Sequence, residues 1–321
     1  MKFLVTGGAG FIGSHLVDAL LNDQHNVIAI DNFDPFYPRS IKESNIAGHL
    51  QSPNFQFIEA DIRSRDIIFE IFKEKSPEVV IHLAAKAGVR PSLQDPQAYI
   101  EVNINGTANV LDASVASGVQ KFIFASSSSV YGLNDKVPFS EEDPILRSAS
   151  PYGATKAAGE AICTSYNNCY GLPIVALRFF TVYGPRQRPD LAIHKFAKNM
   201  LQREVIPIFG DGSTCRDYTY ISDIVKGIKA AIHYQTSGYE VFNLGNDRPV
   251  RLIDLVQLLE SALRCEARWQ RLPEQMGDVP QTWADITRSR KLLGYEPEIE
   301  IHEGLEQFAD WLKNGELHIM R

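Results

Sequence analysis

The chain has 321 residues, 44% hydrophobic and 22% charged, proportions that suit one large α/β domain with a smaller one attached. Its formal net charge of −7 argues against a nucleic-acid or anionic-membrane partner, and neither is expected. Four cysteines, Cys163, Cys169, Cys215 and Cys265, lack CxxC spacing, and the chain opens directly on a strand pattern with no long apolar span, so a cytoplasmic protein with reduced thiols is expected.

The first strand is predicted over 2–6, followed by Gly7, Gly8, Gly10 and Gly13 and a helical pattern running to Leu21. A strand that turns tightly into a helix against a pyrophosphate needs glycine, which permits positive φ and carries no Cβ to block the phosphate. The helix N-terminus then offers free N–H groups and partial positive charge to the anion. A second strand over 26–30 ends in Asp31, which suits the adenosine ribose hydroxyls and repels a 2′-phosphate, so NAD is expected over NADP.

Residues 32–53 read as a polar loop with a helical piece at 41–50, and 55–59 as a third strand closed by Asp61. A helix at 67–75, a strand at 79–83, a long helix at 98–117, a strand at 121–126, a second long helix at 152–170 stopped by Gly171 and a strand at 173–178 follow. This alternation predicts an α/β fold with a doubly wound, Rossmann-like parallel sheet. After Phe180, Pro and Gly punctuate more often and a smaller second α/β domain is expected, with 239–245 returning to the main sheet and helices at 252–263 and 303–313. The predicted division is 1–180 plus about 217–248 for the NAD-binding domain, and about 181–216 and 249–321 for the smaller one.

Tyr152 and Lys156 lie four apart and share one helix face. An ammonium beside a phenol stabilises the phenolate and lowers its pKa from about 10 toward neutrality, making a general base for a sugar hydroxyl. The bland alternative, a tyrosine stacked on a lysine stem, is outweighed by the preceding dinucleotide motif and by Ser126, Ser127, Ser128 and Ser129 at the carboxyl end of the fifth strand, where such sheets bind ligands. No histidine pair has ligand spacing supported by a carboxylate, so no metal is expected.

TGGAGFIG, Asp31, HLAAKAGV, SSSSVYG, YGATK, LRFFTVYGPRQRP and GDGSTCRDY, in this order and spacing, resemble the extended short-chain dehydrogenase/reductases that act on nucleotide sugars. The resemblance implies bound NAD, a C-terminal domain gripping a nucleoside diphosphate, and Ser127, Tyr152 and Lys156 as catalytic hydroxyl, base and partner. It implies a cofactor set of Gly7, Gly10, Phe11, Ile12, Gly13, Asp31, Asn32, Asp61, Ile62, Leu83, Ala84, Ala85, Lys86, Asn103 and Ser126, with Tyr152 and Lys156 at the nicotinamide end. It also implies Arg216 on the diphosphate, Asp278 on the ribose, Pro207, Ile208 and Phe209 around the uracil, and a homodimer formed by the two long helices as a four-helix bundle. Gln275 stands where some relatives carry a second phosphate-binding arginine.

Within this family, dehydratases carry Asp-Glu where this chain has Ser128 and Ser129, and decarboxylases of UDP-glucuronate usually carry Glu at the position of Ser129, so 4-epimerisation remains. AGVRPS, the serine run and GDGSTCRDYTY resemble the corresponding segments of UDP-glucuronate 4-epimerases. Ser127, Ser128, Ser129 and Thr181 can surround a carboxylate with neutral donors, and Arg90 and Arg188 are candidate cations near the sugar or pyrophosphate. The expected reaction is therefore epimerisation of UDP-glucuronate to UDP-galacturonate. Kept beside it are a UDP-glucose or UDP-N-acetylhexosamine 4-epimerase, a UDP-glucuronate decarboxylase, and a catalytically idle NAD-binding regulator.

Overall fold

The computed structural model describes residues 1–145, 147–275 and 277–316. Its strands are β1 (Lys2–Thr6), β2 (Asn26–Asp31), β3 (Phe55–Glu59), β4 (Val79–His82), β5 (Lys121–Ser127), β6 (Ile174–Phe179), β7 (Thr181–Tyr183), β8 (Val205–Phe209), β9 (Cys215–Tyr220), β10 (Tyr239–Leu244), β11 (Pro249–Arg251) and β12 (Arg268–Leu272). Seven of them form one parallel sheet in the order β10-β6-β5-β4-β1-β2-β3. After β3 the chain crosses back past β1 to begin β4, so the order reverses between β1 and β4, and a crevice opens at their carboxyl ends. The apolar runs are continuous because the strands are buried on both faces: Phe3 and Val5 join one core, Leu4 the other, and Ile123 and Phe122 divide likewise. The short strands after Phe180 form a three-stranded sheet, β11-β9-β7, and a parallel pair, β12-β8.

One expected element is built differently. Instead of a single helix over 98–117, Pro96–Ile100 is helical, Glu101–Gly106 is a π turn, and Thr107–Ala116 resumes the α-helix. The wide turn lets Gly106 lie against Ile62, where a Cβ would come within 2.6 Å of Cδ1, while Asn103 bonds the backbone of Lys86 through both ends of its amide (2.8 and 2.9 Å). The helix Pro151–Tyr170 is cleanly delimited: Ser150 Oγ accepts from the Gly153 N–H (3.1 Å), Pro151 starts it, and Gly171 ends it in the left-handed region. No helix among the described residues is long and apolar enough to cross a membrane.

His82, at the end of β4, is sealed between the hydroxyls of Thr6 (2.8 Å) and Thr107 (3.0 Å), and burial pulls its pKa down to about 3. A histidine kept neutral in the fold destabilises it once the unfolded chain begins to bind the proton, so its contribution is intact above about pH 6.5 and is lost progressively as pH falls toward 3. His82→Gln is expected to flatten the fall in unfolding temperature between pH 7 and pH 5; an unchanged slope in a thermal scan would refute this.

Candidate active site

The crevice is the mouth of a cavity of about 670 Å³. At the end of β1, Gly7 turns with φ at 71°, and the N–H groups of Gly7 and Gly8 both donate to the Ile30 carbonyl (2.7 and 3.2 Å). The helix Phe11–Asn22 follows at once, and a Cβ on Gly13 would stand 2.1 Å from the Gly7 carbonyl oxygen. Gly7, Gly10, Phe11, Ile12 and Gly13 line the cavity, and no side chain caps the helix start, so its first-turn N–H groups remain for an anion. This cradle fits the pyrophosphate of a dinucleotide.

Asp31 and Asn32 lie further along the same wall. Asp31 Oδ1 accepts from the Phe33 N–H (2.9 Å) and pairs with Lys42 (3.3 Å), both side chains nearly buried. Asn32 donates to Asp61 (2.9 Å), whose carboxyl Arg63 pulls down to about 2. Ile62, Leu83, Ala84, Ala85, Lys86 and Ser126 continue the wall. Asn103 does not line the cavity; it fixes Lys86 from behind and donates to Thr155 (3.0 Å).

At the other end stand Ser127, Tyr152 and Lys156. Ser127 Oγ accepts from the Ser129 N–H (3.1 Å), shaping the 3₁₀ turn Ser128–Tyr131, and its side chain lies near enough to Tyr152 to draw the phenol down. Lys156 Nζ donates to the Ala125 carbonyl (2.7 Å) and lies 5.2 Å from the Phe124 ring centre. Burial pulls Lys156 down to about 8. The expected lowering of Tyr152 is absent: burial pushes the phenol up, and the groups pulling it down are Ser127 and Arg188 rather than Lys156. The helical spacing is as expected, but the ammonium is held by a β5 carbonyl, and burial dominates the phenol.

Ser128, Ser129, Thr181 and Arg188 line the same end. Arg188 is held by Asp190 (2.8 and 2.9 Å) and lies 5.2 Å from the Phe36 ring centre. Arg216 and Asp278 meet at the cavity wall in a direct hydrogen bond. Arg90 reaches Asp278 (3.7 Å) from outside the wall and packs on the Phe209 ring at 4.9 Å, so two guanidinium groups share one carboxylate. Pro207, Ile208 and Phe209, on β8, are not in the cavity wall, and Ile208 is buried in the core. Gln275 is also outside the wall, its Oε1 buried without a hydrogen-bond partner among the described residues.

The wall also contains Asp34, Phe36, Tyr37 and Lys42, from the stretch expected to be loop and helix. Successive Asx turns, Asn32 to Asp34 and Asp34 to Phe36 (both 3.0 Å), fold this loop over the cavity, and Asp34 pairs with Lys86 (3.3 Å). The alternating Asn/Asp residues were the available signal.

Residues 3–245 match the NAD dependent epimerase/dehydratase family. A UDP-glucuronate 4-epimerase of Thermodesulfobacterium geofontis is 41% identical over 314 residues, covering 98% of this chain and 96% of that protein. The crystal structure of a UDP-glucuronic acid 4-epimerase from Bacillus cereus, in complex with UDP-glucuronic acid and NAD, superposes with a TM-score of 0.92 at 42% identity, over 98% of this chain and 99% of that one. A UDP-glucose 4-epimerase from Thermotoga maritima with UDP-glucose gives 0.89 at 36% identity, with 98% and 99% covered.

Proposed function

The chain belongs to the NAD dependent epimerase/dehydratase family, and on that basis we propose that it interconverts UDP-glucuronate and UDP-galacturonate by inverting carbon 4. The observation that carries the choice of sugar is the wall formed by Ser127, Ser128, Ser129 and Thr181 together with Arg188, a set of neutral donors and one cation suited to an ionised carboxylate. The likeness to proteins named for this activity supports it.

Bound NAD supplies an acceptor that takes the hydrogen of carbon 4 as hydride and returns it to the opposite face. The protein's part is proton handling and grip. Tyr152 Oη takes the proton of the 4-hydroxyl and gives it back, Ser127 passes a hydrogen bond to the same oxygen, and Lys156, one helical turn on and held by the Ala125 carbonyl, supplies an ammonium at this end of the cavity. Arg216 binds the diphosphate and Asp278, released from its arginines, the ribose. The 4-keto uronate is a β-keto acid prone to losing CO₂; the hydroxyl wall holds the carboxylate out of the alignment that loss requires.

We assign the nucleotide-sugar grip to about 181–216 and 249–321. The partly exposed Ile104, Ala108, Ala158 and Ile162 on the two long helical segments support a homodimer through a four-helix bundle, which sedimentation as a monomer at micromolar concentration would contradict. Four unpaired cysteines favour the cytoplasm.

Incubation with UDP-glucuronate, UDP-glucose and UDP-N-acetylglucosamine, with chromatography of products, tests the assignment. UDP-galacturonate without CO₂ is expected; a UDP-pentose with CO₂, or turnover of the neutral sugars alone, would overturn it.

A further inference from the structure

From Ser126 in the cavity wall a chain of buried polar groups runs into the fold, and beyond that serine the proposed chemistry uses none of them. Ser126 Oγ donates to Glu160 Oε1 (2.5 Å). Arg178, on β6, grips the same carboxylate with a fork, Nε to Oε1 at 2.9 Å and Nη2 to Oε2 at 2.8 Å. Its Nη1 donates to Tyr131 Oη (3.0 Å), which donates to Asn243 Oδ1 (2.6 Å) on β10. The Glu160 and Arg178 side chains are only 5% and 4% exposed. A pair buried so deeply is weak evidence for stability, because desolvation offsets most of its attraction.

Its placement is more telling. Tyr152, Lys156 and Glu160 recur every four residues along one helix face. On the strand side, Ala125 holds the Lys156 ammonium, Ser126 is held by Glu160, and Ser127 meets Tyr152. Each of the three residues that end β5 is thus tied to one of three successive turns of that helix.

We propose that Glu160 is a positioning residue for the epimerisation: it clamps the end of β5 to the Tyr152 helix and keeps a negative charge one turn from Lys156, so that the ammonium stays charged while the phenolate forms. This rests on the roles given above to Tyr152 and Lys156. The groups facing Lys156 are His82, Cys163, Glu160, the Phe124 ring and the Ala125 carbonyl. Burial keeps His82 neutral and pushes the Cys163 thiol up, so neither carries charge near neutral pH, and Glu160 is the charge that opposes the burial of Lys156. Glu160 itself is faced by Ser126, Arg178, Lys156, Cys163 and Tyr239, and Arg178 by Tyr131 and the Glu141 carbonyl.

The test uses NAD-loaded enzyme, wild type beside Glu160→Gln and the double variant Glu160→Gln/Arg178→Met, which removes both charges in case the single change leaves Arg178 too costly to bury. Epimerisation is measured from pH 6 to pH 10. With the phenol titrating above Lys156, kcat rises with pH until Lys156 loses its proton and then levels off, and that break is expected about one pH unit lower in the variants, with KM for the UDP-sugar unchanged. A folded variant whose break stays in place overturns the proposal, even if kcat falls uniformly, since a merely structural role would do that. A wild type that turns over no UDP-sugar sinks the functional reading instead, and unfolding temperature then carries the test. Lys156, held at about 8 below its unfolded value, makes the fold gain stability as pH rises from about 8 toward 10. That gain should begin about one unit lower in the variants, and an unchanged onset is again a refutation.

Discussion

Tyr152→Phe is expected to lower kcat by at least ~10²-fold while leaving the fold and the grip on the UDP-sugar in place. The ring is packed edge-on against Tyr99 at 6.1 Å, a contact that phenylalanine keeps. What disappears is the phenol oxygen beside Ser127, to which the proposed mechanism gives the proton of the 4-hydroxyl. The loss should therefore sit in kcat, with KM within a few-fold of wild type and the unfolding temperature unaltered. Burial holds the phenol above its ordinary value, so the wild-type rate should climb with pH as the base form grows, then level off as Lys156 loses its proton. Steady-state rates across pH check both points, and near-native turnover by the phenylalanine variant would remove Tyr152 from the mechanism.

The second large effect is expected at the glycine turn. In Gly13→Ala the new methyl would stand 2.1 Å from the Gly7 carbonyl oxygen and 2.9 Å from Gly7 C and Gly8 Cα. All three are backbone atoms, and Gly7 has little room to retreat: it sits at φ 71° with its N–H bonded to Ile30 at 2.7 Å. Relief requires the helix start to move away from the turn, which opens the pyrophosphate cradle and costs about 1–3 kcal/mol of overpacking strain. Purified variant should bind NAD about 5- to 150-fold more weakly and retain correspondingly less of it, since each ~1.4 kcal/mol is tenfold in affinity, and should melt earlier. Cofactor content by absorbance and a thermal scan decide it; full NAD content with a native melting temperature would show that the close approach is unimportant.

The parts of this architecture that the sequence reveals are those set by neighbours along the chain. Strands buried on both faces are unbroken apolar runs ended by Gly, Asp or Ser, and β1 and β3 fall at their expected bounds. The Gly171 stop ends the Tyr152 helix where expected, and the glycine turn announces itself by spacing. What stays hidden depends on distant partners. The π turn at Glu101–Gly106 answers to Ile62 and Lys86, and nothing in the local periodicity reports either. Glu160 is visible at helical spacing, but Arg178, which determines its surroundings, arrives from another strand. The phenol of Tyr152 is set by burial rather than by its lysine neighbour, a balance that only the assembled cavity fixes.

The central claim is that carbon 4 is inverted by losing and regaining its own hydrogen while Tyr152 handles the proton. UDP-glucuronate carrying deuterium at carbon 4, turned over in ordinary water and analysed by mass spectrometry and NMR, tests this most directly. The account requires UDP-galacturonate that keeps the deuterium at carbon 4, formed more slowly than from the unlabelled sugar. Product in which solvent hydrogen has replaced the label at that carbon would contradict it.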